Sequence, residues 1–431
     1  MSDILKRMAY PQRQKLNDEV HARPPDLLPS NSAVSYFARI ADRSDPDQEH
    51  RLLNELLEIL GLPEAAAGVK HYAGATENFR LRWERHTEFS RYAVAVDNPT
   101  TTPFARPAIE LLPQQWLQRL EGSVLTAIHT RVLEEHEPSM SLDRYSEQFF
   151  NGNVLVGSHI ADGAALALTD FRIGEDGFTR LLVLNDGMSA IQTGRMVQRL
   201  LEIDTYRMMT LLALPVALAL IPRLDEMEIE LDGISNELSE GPEKNDQRLL
   251  DRLIHLEAES EAGRLHSQFR FSAAEAYYDL VEQRSVELRE KRIRGLQTYD
   301  EFVKRRLAPA VKTCRAISSR HSNLSHRLER ATQLLSTRVN VDRQLQNQKL
   351  LKSMNQRARM QLRLQATVEG LSVAAITYYV VGLVYYALQG LVAAGLLINP
   401  AIWTAVSVPI VALVIFLSVR RIRRHVSNTV P

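Results

Sequence analysis

Two short segments concentrate side chains able to do chemistry. Asp18, Glu19, His21 and Arg23 put two carboxylates, an imidazole and a guanidinium just ahead of Pro24-Pro25. The carboxylates with the imidazole suit a cation, the guanidinium suits an anion, and the imidazole titrates near neutral pH. The same side chains also satisfy one another in a turn that docks the N-terminus, and on residue types alone the turn is the simpler account. Glu134, Glu135, His136 and Glu137 supply metal-ligating types in succession. Neighbours in sequence point in different directions along any regular element, so this run reads as the solvated end of a strand.

No catalytic signature accompanies them. A GxxxxGK[ST] loop, Gly-x-Gly-x-x-Gly, His-Glu-x-x-His and Gly-x-Ser-x-Gly are all missing from the sequence. The chain is therefore read as a non-enzyme without cofactor; an enzyme built on Asp18, His21 and Arg23 ranks last. The single cysteine, Cys314, excludes an internal disulfide and a thiolate cluster, and suits a reducing cytoplasm. In a helical, basic stretch it reads as inert.

The elements that must position these groups divide into three. The fold class expected is α+β: a mixed α/β cytoplasmic domain over 1–188, a long-helix region over 189–367, and a two-helix transmembrane hairpin with a basic tail over 368–431. In the first, alternating or β-branched runs at Ala33–Ile40, Phe79–Arg85, Tyr92–Val96, Val124–Val132, Val154–His159, Ala164–Thr169 and Thr179–Leu184 predict strands. Asp-Gly turns make the last three an antiparallel meander. Leu52, Leu53, Leu56, Leu57 and Leu60 predict an amphipathic helix over Pro46–Leu60, and Gln114–Leu120 a shorter one. Met1–Lys15 has no continuous apolar stretch, so no cleavable secretory signal is expected.

Charge is sorted along the long helices. Lys+Arg and Asp+Glu both number 52, which argues against a dedicated nucleic-acid binder. Yet 225–261 is acidic and 284–363 is basic, so the two helices are expected to pack together, within a chain or across a homo-oligomer. A basic helix addressed to anionic lipid or nucleic acid is the competing reading. Between Ala310 and Glu369 no Pro or Gly interrupts the helix.

From Gly370 to Val419 there is no charged residue and no histidine. Leu371–Leu388 and Ala401–Val419 each approach the roughly 20 residues needed to cross a bilayer. Gly390, Gly395, Asn399 and Pro400 break the stretch between them. Exposure of a large apolar side chain to water costs about 1.5–3 kcal/mol, and neither segment has the polar stripe of a soluble core helix. Arginines precede the first span and follow the second, which places both termini in the cytoplasm of an inner-membrane protein. Met208–Ile221, with Pro215 inside, is short enough to read as a soluble helix.

Leu16–Pro25 and Gln365–Tyr379 resemble a family of uncharacterised bacterial membrane-anchored proteins, to which no activity is assigned. The order of parts, a mixed domain, acidic helices, a basic helix entering the first span and a basic C-terminus, is loosely similar to the CorA-type divalent-cation transporters. That resemblance implies a homo-oligomer joined through the long helices, a divalent cation as partner, and a pore lined by Thr377, Tyr378 and Tyr385 with Gln389 and Asn399 at its mouth. The Gly-Met-Asn motif of those transporters has no counterpart here, where Tyr386-Ala-Leu-Gln-Gly390 stands, and the connecting loop has no acidic residue. A membrane-tethered binding or scaffold protein is the alternative.

Overall fold

The computed structural model describes residues 8–14, 16–17, 26–41, 45, 47–99, 102–120, 124–135, 139–239, 245–394 and 399–427, with side chains to 421. The chain forms two compact units, Met1–Thr332 and Gln333–Pro431.

The first unit is built on a sheet of order β2-β3-β4-β1-β5-β8-β7-β6. Its strands are β1 (Ser32–Ile40), β2 (His71–Ala75), β3 (Arg80–Arg85), β4 (Phe89–Asp97), β5 (Val124–Glu134), β6 (Val156–Ile160), β7 (Ala165–Thr169) and β8 (Thr179–Asn185). Neighbours are antiparallel except β5 and β8, the one parallel pair among the described strands. That pair joins two antiparallel halves, and it needs the crossover that residues 135–178 supply. The meander β6-β7-β8 is as the Asp-Gly turns predict. β2 was not predicted, because HYAGA carries too few apolar or β-branched residues to signal a strand.

Alternation along the strands sends side chains to two helical layers. One layer holds α1 (Gln48–Leu60), α2 (Gln114–Gln118) and α3 (Leu142–Phe149). There Leu52, Leu53, Leu56, Leu57 and Trp116 pack on Phe37, Trp83 and Tyr92. On the opposite face lie α4 (Ala190–Leu211), α6 (Asp246–Glu287) and the start of α7 (Tyr299–Ala393). Val34, Tyr36, Ile128 and Val183 meet Val197, Leu200, Val281, Val303 and Leu307 there. Ser189 and Gln192 start α4 with a reciprocal capping box.

α5 (Ala213–Ser239) is the acidic helix, and the charge sorting resolves within one chain. Arg320 of α7 reaches Asp225 and Glu228 at 2.6 Å, and Arg327 reaches Asp232 at 2.6 Å. Arg252 joins α6 to Glu230 and Glu237 of α5. These side chains are all partly exposed, from 28% to 64%, so each pair contributes about 0–1 kcal/mol and together they fix register.

The second unit carries the apolar parts of α7 and the whole of α8 (Pro400–Ser427). α7 is one helix of 95 residues, uninterrupted as the missing Pro and Gly between 310 and 369 predict, with Pro309 inside it. Three helices, not the two expected, are long and apolar enough to cross a membrane by length and composition: Ala190–Ser239, Tyr299–Ala393 and Pro400–Arg421. The first was undercounted because the apolar run was judged by its own short length, whereas α4 and α5 extend it on both sides.

Candidate functional site

β3 and β4 pair so that Glu84 stands directly opposite Arg91. Both side chains turn under α4 and are buried, Glu84 completely. Arg91 Nη2 and Nε donate to Glu84 Oε2 at 2.6 and 3.0 Å, and Arg91 Nη1 donates to Glu202 Oε1 at 3.1 Å. Arg284 Nε of α6 donates to the other oxygen of Glu202 at 2.6 Å, and Arg284 in turn holds Glu287, which also accepts from Arg199 at 2.8 Å. At the other end Arg82 Nε donates to Glu84 at 2.7 Å, and Arg82 Nη1 reaches Asp26 at 3.3 Å. Charges thus alternate from Asp26 through Arg82, Glu84, Arg91, Glu202, Arg284 and Glu287 to Arg199.

Electrostatics fix the state of this chain. Burial alone pushes the carboxyls of Glu84 and Glu202 up, but the facing arginines and hydrogen bonds outweigh it and hold both below the ordinary range. Burial likewise opposes the charge of Arg91, and the carboxylates restore it. Carboxyls so far from neutral pH are poorly matched to general acid–base work. The adjoining cavity, lined by Asp26, Tyr36, Arg82, Glu84, Arg91 and Gln198, is only about 40 Å³. That is space for one or two waters rather than a substrate.

Asp26 enters this site from the segment just before β1. Its backbone carbonyl crosses α4 at Gly194, where an added Cβ would stand 1.7 Å from the carbonyl oxygen. Leu28 N–H then donates to Ala190 O at 3.1 Å, and the Leu28 side chain is buried. Asp18, Glu19, His21 and Arg23 lie outside the described residues, as do His136 and Glu137. Glu135 accepts from the hydroxyl of Tyr145 at 2.9 Å and tethers the end of β5 to α3. Cys314 is buried, and burial pushes its thiol up, in keeping with an inert side chain.

The proposed lining residues do not share one environment. Thr377 lies on a half-buried stripe of α7 with Val373, Val381, Val384 and Leu388, while Thr404, Ser407, Val411, Ile415 and Val419 make a similar stripe on α8. Tyr378 is 78% exposed and Tyr385 37%. Gln389 Nε2 donates to the Tyr385 hydroxyl at 3.0 Å, and Asn399 Oδ1 accepts from Ala401 N–H at 3.2 Å at the start of α8. Among the described residues no group of three His, Cys, Asp or Glu side chains is placed to hold a metal ion.

Over residues 8–426 the chain matches the family described as "Protein of unknown function (DUF3422)". It belongs to that family. No curated protein and no solved structure matches the chain. In this DUF3422 chain the match runs through both the buried charge chain and the apolar helices.

One ionisable group at the foot of α7 does titrate near neutrality. Burial raises the Glu290 carboxyl to about 7, against weaker help from the Asp300 amide and the Thr298 and Ser158 hydroxyls. A carboxyl raised in the fold favours folding when protonated. Stability therefore falls as pH rises from about 4.5 towards 7. Glu290→Gln is expected to remove that slope and to raise the melting temperature at pH 8, as followed by circular dichroism across pH 5–8. An unchanged pH profile would contradict the assignment.

Proposed function

We propose that this DUF3422 protein is an integral membrane protein with two C-terminal spans and cytoplasmic termini, which assembles into an oligomer through the exposed face of α7. One observation carries this reading. The apolar windows of α7 and α8 have none of their residues buried by protein, so lipid or another chain must cover them.

The face of α7 favours other chains as part of that cover. Tyr378 lies seven residues inside Leu371, about 10 Å of helical rise, well short of either membrane surface. A phenol hydroxyl there, without a hydrogen-bond partner in hydrocarbon, costs on the order of a few kcal/mol. Packing of Tyr378, Tyr379 and Tyr386 against other copies removes that cost. Within such an assembly the transport reading is a CorA-like one, in which a small cation passes along a path lined by α7.

Ala190–Ser239 stays out of the bilayer in this reading. Met209, Ala213 and Ala217 are buried by protein, α4 is tied to the sheet through Thr126 and Asp204, and α5 is tied to α7 through Asp225, Glu228 and Asp232. A span between them would separate two ends held by one compact unit.

A second reading, a membrane tether for a cytosolic binding domain, is favoured by the uncharged connection Gln389–Pro400, which has nothing to attract a cation. Light scattering of the detergent-solubilised protein is expected to give several chains, and a monomer would contradict the assembly. Reconstituted vesicles separate the two readings: flux of Mg²⁺, Co²⁺, Ni²⁺ or Zn²⁺ supports transport, and an oligomer without flux supports the tether.

A further inference from the structure

A cavity of about 370 Å³ opens between the ends of β6 and β7, the last turns of α4 and the first turns of α7. Its walls carry three guanidinium groups, those of Arg172, Arg207 and Arg306, against one carboxylate, Asp170. Asp170 is already engaged, accepting from Asn153 Nδ2 at 2.9 Å and from the Arg172 amide at 3.1 Å. Arg207 Nε donates to Asp204 at 3.1 Å. The guanidinium groups of Arg172 and Arg306 have no ion-pair or hydrogen-bond partner among the described residues. The same holds for Arg294 and Arg305, each next in sequence to a residue of the cavity wall.

The positive charge sits on a stiff base. Phe171 and Phe302 stack with centroids 4.6 Å apart and planes at 2°. Arg207 lies over Phe171 at 5.2 Å and Arg306 over Phe302 at 4.6 Å. A guanidinium resting over a ring is braced by the cation–π attraction, and at Arg306 this leaves the N–H groups without a protein acceptor among the described residues. Phe171 adopts φ 54°, a left-handed conformation that is costly for a bulky residue and persists where surroundings enforce it, often at binding sites.

We propose that this cavity binds a small phosphate-bearing anion, gripped by Arg172 and Arg306 with Arg207 adding charge behind them. A tetrahedral phosphate takes guanidinium forks from several directions, whereas a planar carboxylate takes one in its plane. The two rings stack on each other and carry arginines besides, which leaves little open ring face for a nucleobase. The ligand is therefore a phosphate or phosphomonoester rather than a base-anchored nucleotide. Because Val303, Arg306 and Leu307 belong to α7, occupancy would be felt at the foot of the helix that carries the apolar segment. The proposal stands whether or not α7 enters a membrane.

Isothermal titration calorimetry on the full chain in detergent, with inorganic phosphate and with pyrophosphate as probes and succinate as control, tests it. Saturable binding of the phosphates at millimolar concentration or better is expected, weakened about tenfold by Arg306→Gln and by Arg172→Gln. Both side chains are exposed, so melting curves of the variants should match the parent. Absence of saturable heat, equal affinity in the variants, or succinate binding as tightly as phosphate would each overturn the assignment.

Discussion

Arg91→Met is expected to cost the first unit about 3–5 kcal/mol, seen as a fall in melting temperature on the order of 10 °C. Arg91 is the bridge between two buried carboxylates, Glu84 and Glu202, and Met fills its volume without its charge. Each carboxylate then keeps one arginine, Arg82 or Arg284, while the two negative charges lose the cation between them. The pH dependence follows from the same pairs. Carboxyls held low in the fold add stability that is present above about pH 4.5 and is lost as pH falls below it. The variant should therefore lose part of the parent's acid sensitivity as well as its stability. A melting curve superimposable on the parent's would show that the charge chain contributes nothing to the fold.

Gly194→Ala is expected to destabilise by roughly 2 kcal/mol, although alanine is the better helix former by about 1 kcal/mol. The new Cβ would overlap the Asp26 carbonyl, which is backbone and cannot swing aside. The segment before β1 must lift from α4, taking Leu28 out of the core and Asp26 away from Arg82. Limited proteolysis should then cut ahead of Leu28 faster than in the parent. Stabilisation by the alanine would mean that helix propensity outweighs the crossing, and that this segment is not docked.

These two sites show where sequence patterning is informative and where it misleads. Apolar alternation and leucine spacing mark β1 and α1 because each buries one face and wets the other. By the same rule Arg82 and Glu84 in RLRWER belong on a solvent face. That face is instead covered by α4, far along the chain, and no local pattern announces the cover. A signal was present in the register: a tight turn between Arg85 and Phe89 sets Glu84 opposite Arg91, an opposite-charge pair worth examining for burial. The parallel pairing of β5 with β8 is likewise invisible locally, since strand patterns do not name their partners. The long helices were legible because missing helix breakers and a fifty-residue stretch without charge are properties of composition. The apolar character of Ala190–Ser239 was underestimated, since the run Met208–Ile221 is short by itself and α4 and α5 extend it on both sides.

The cavity beneath Phe171 was not foreseen for a related reason. Arg172 follows β7, Arg207 lies in α4 and Arg306 in α7, and only the fold brings them to one wall. Asp18, Glu19, His21 and Arg23 stand immediately before the segment that enters the charge chain at Asp26.

Membrane topology is tested most directly by cysteine labelling, for which the chain is suited by having one cysteine, Cys314. In a Cys314→Ser background, single cysteines are placed by Gly241→Cys, Gly395→Cys and Thr429→Cys and treated in intact cells with a membrane-impermeant maleimide. Two spans predict that only the cysteine at position 395 is labelled before lysis, and that all three are labelled after it. Labelling at 241 or 429 in intact cells, or at none of the three until lysis, would contradict a two-span protein with cytoplasmic termini.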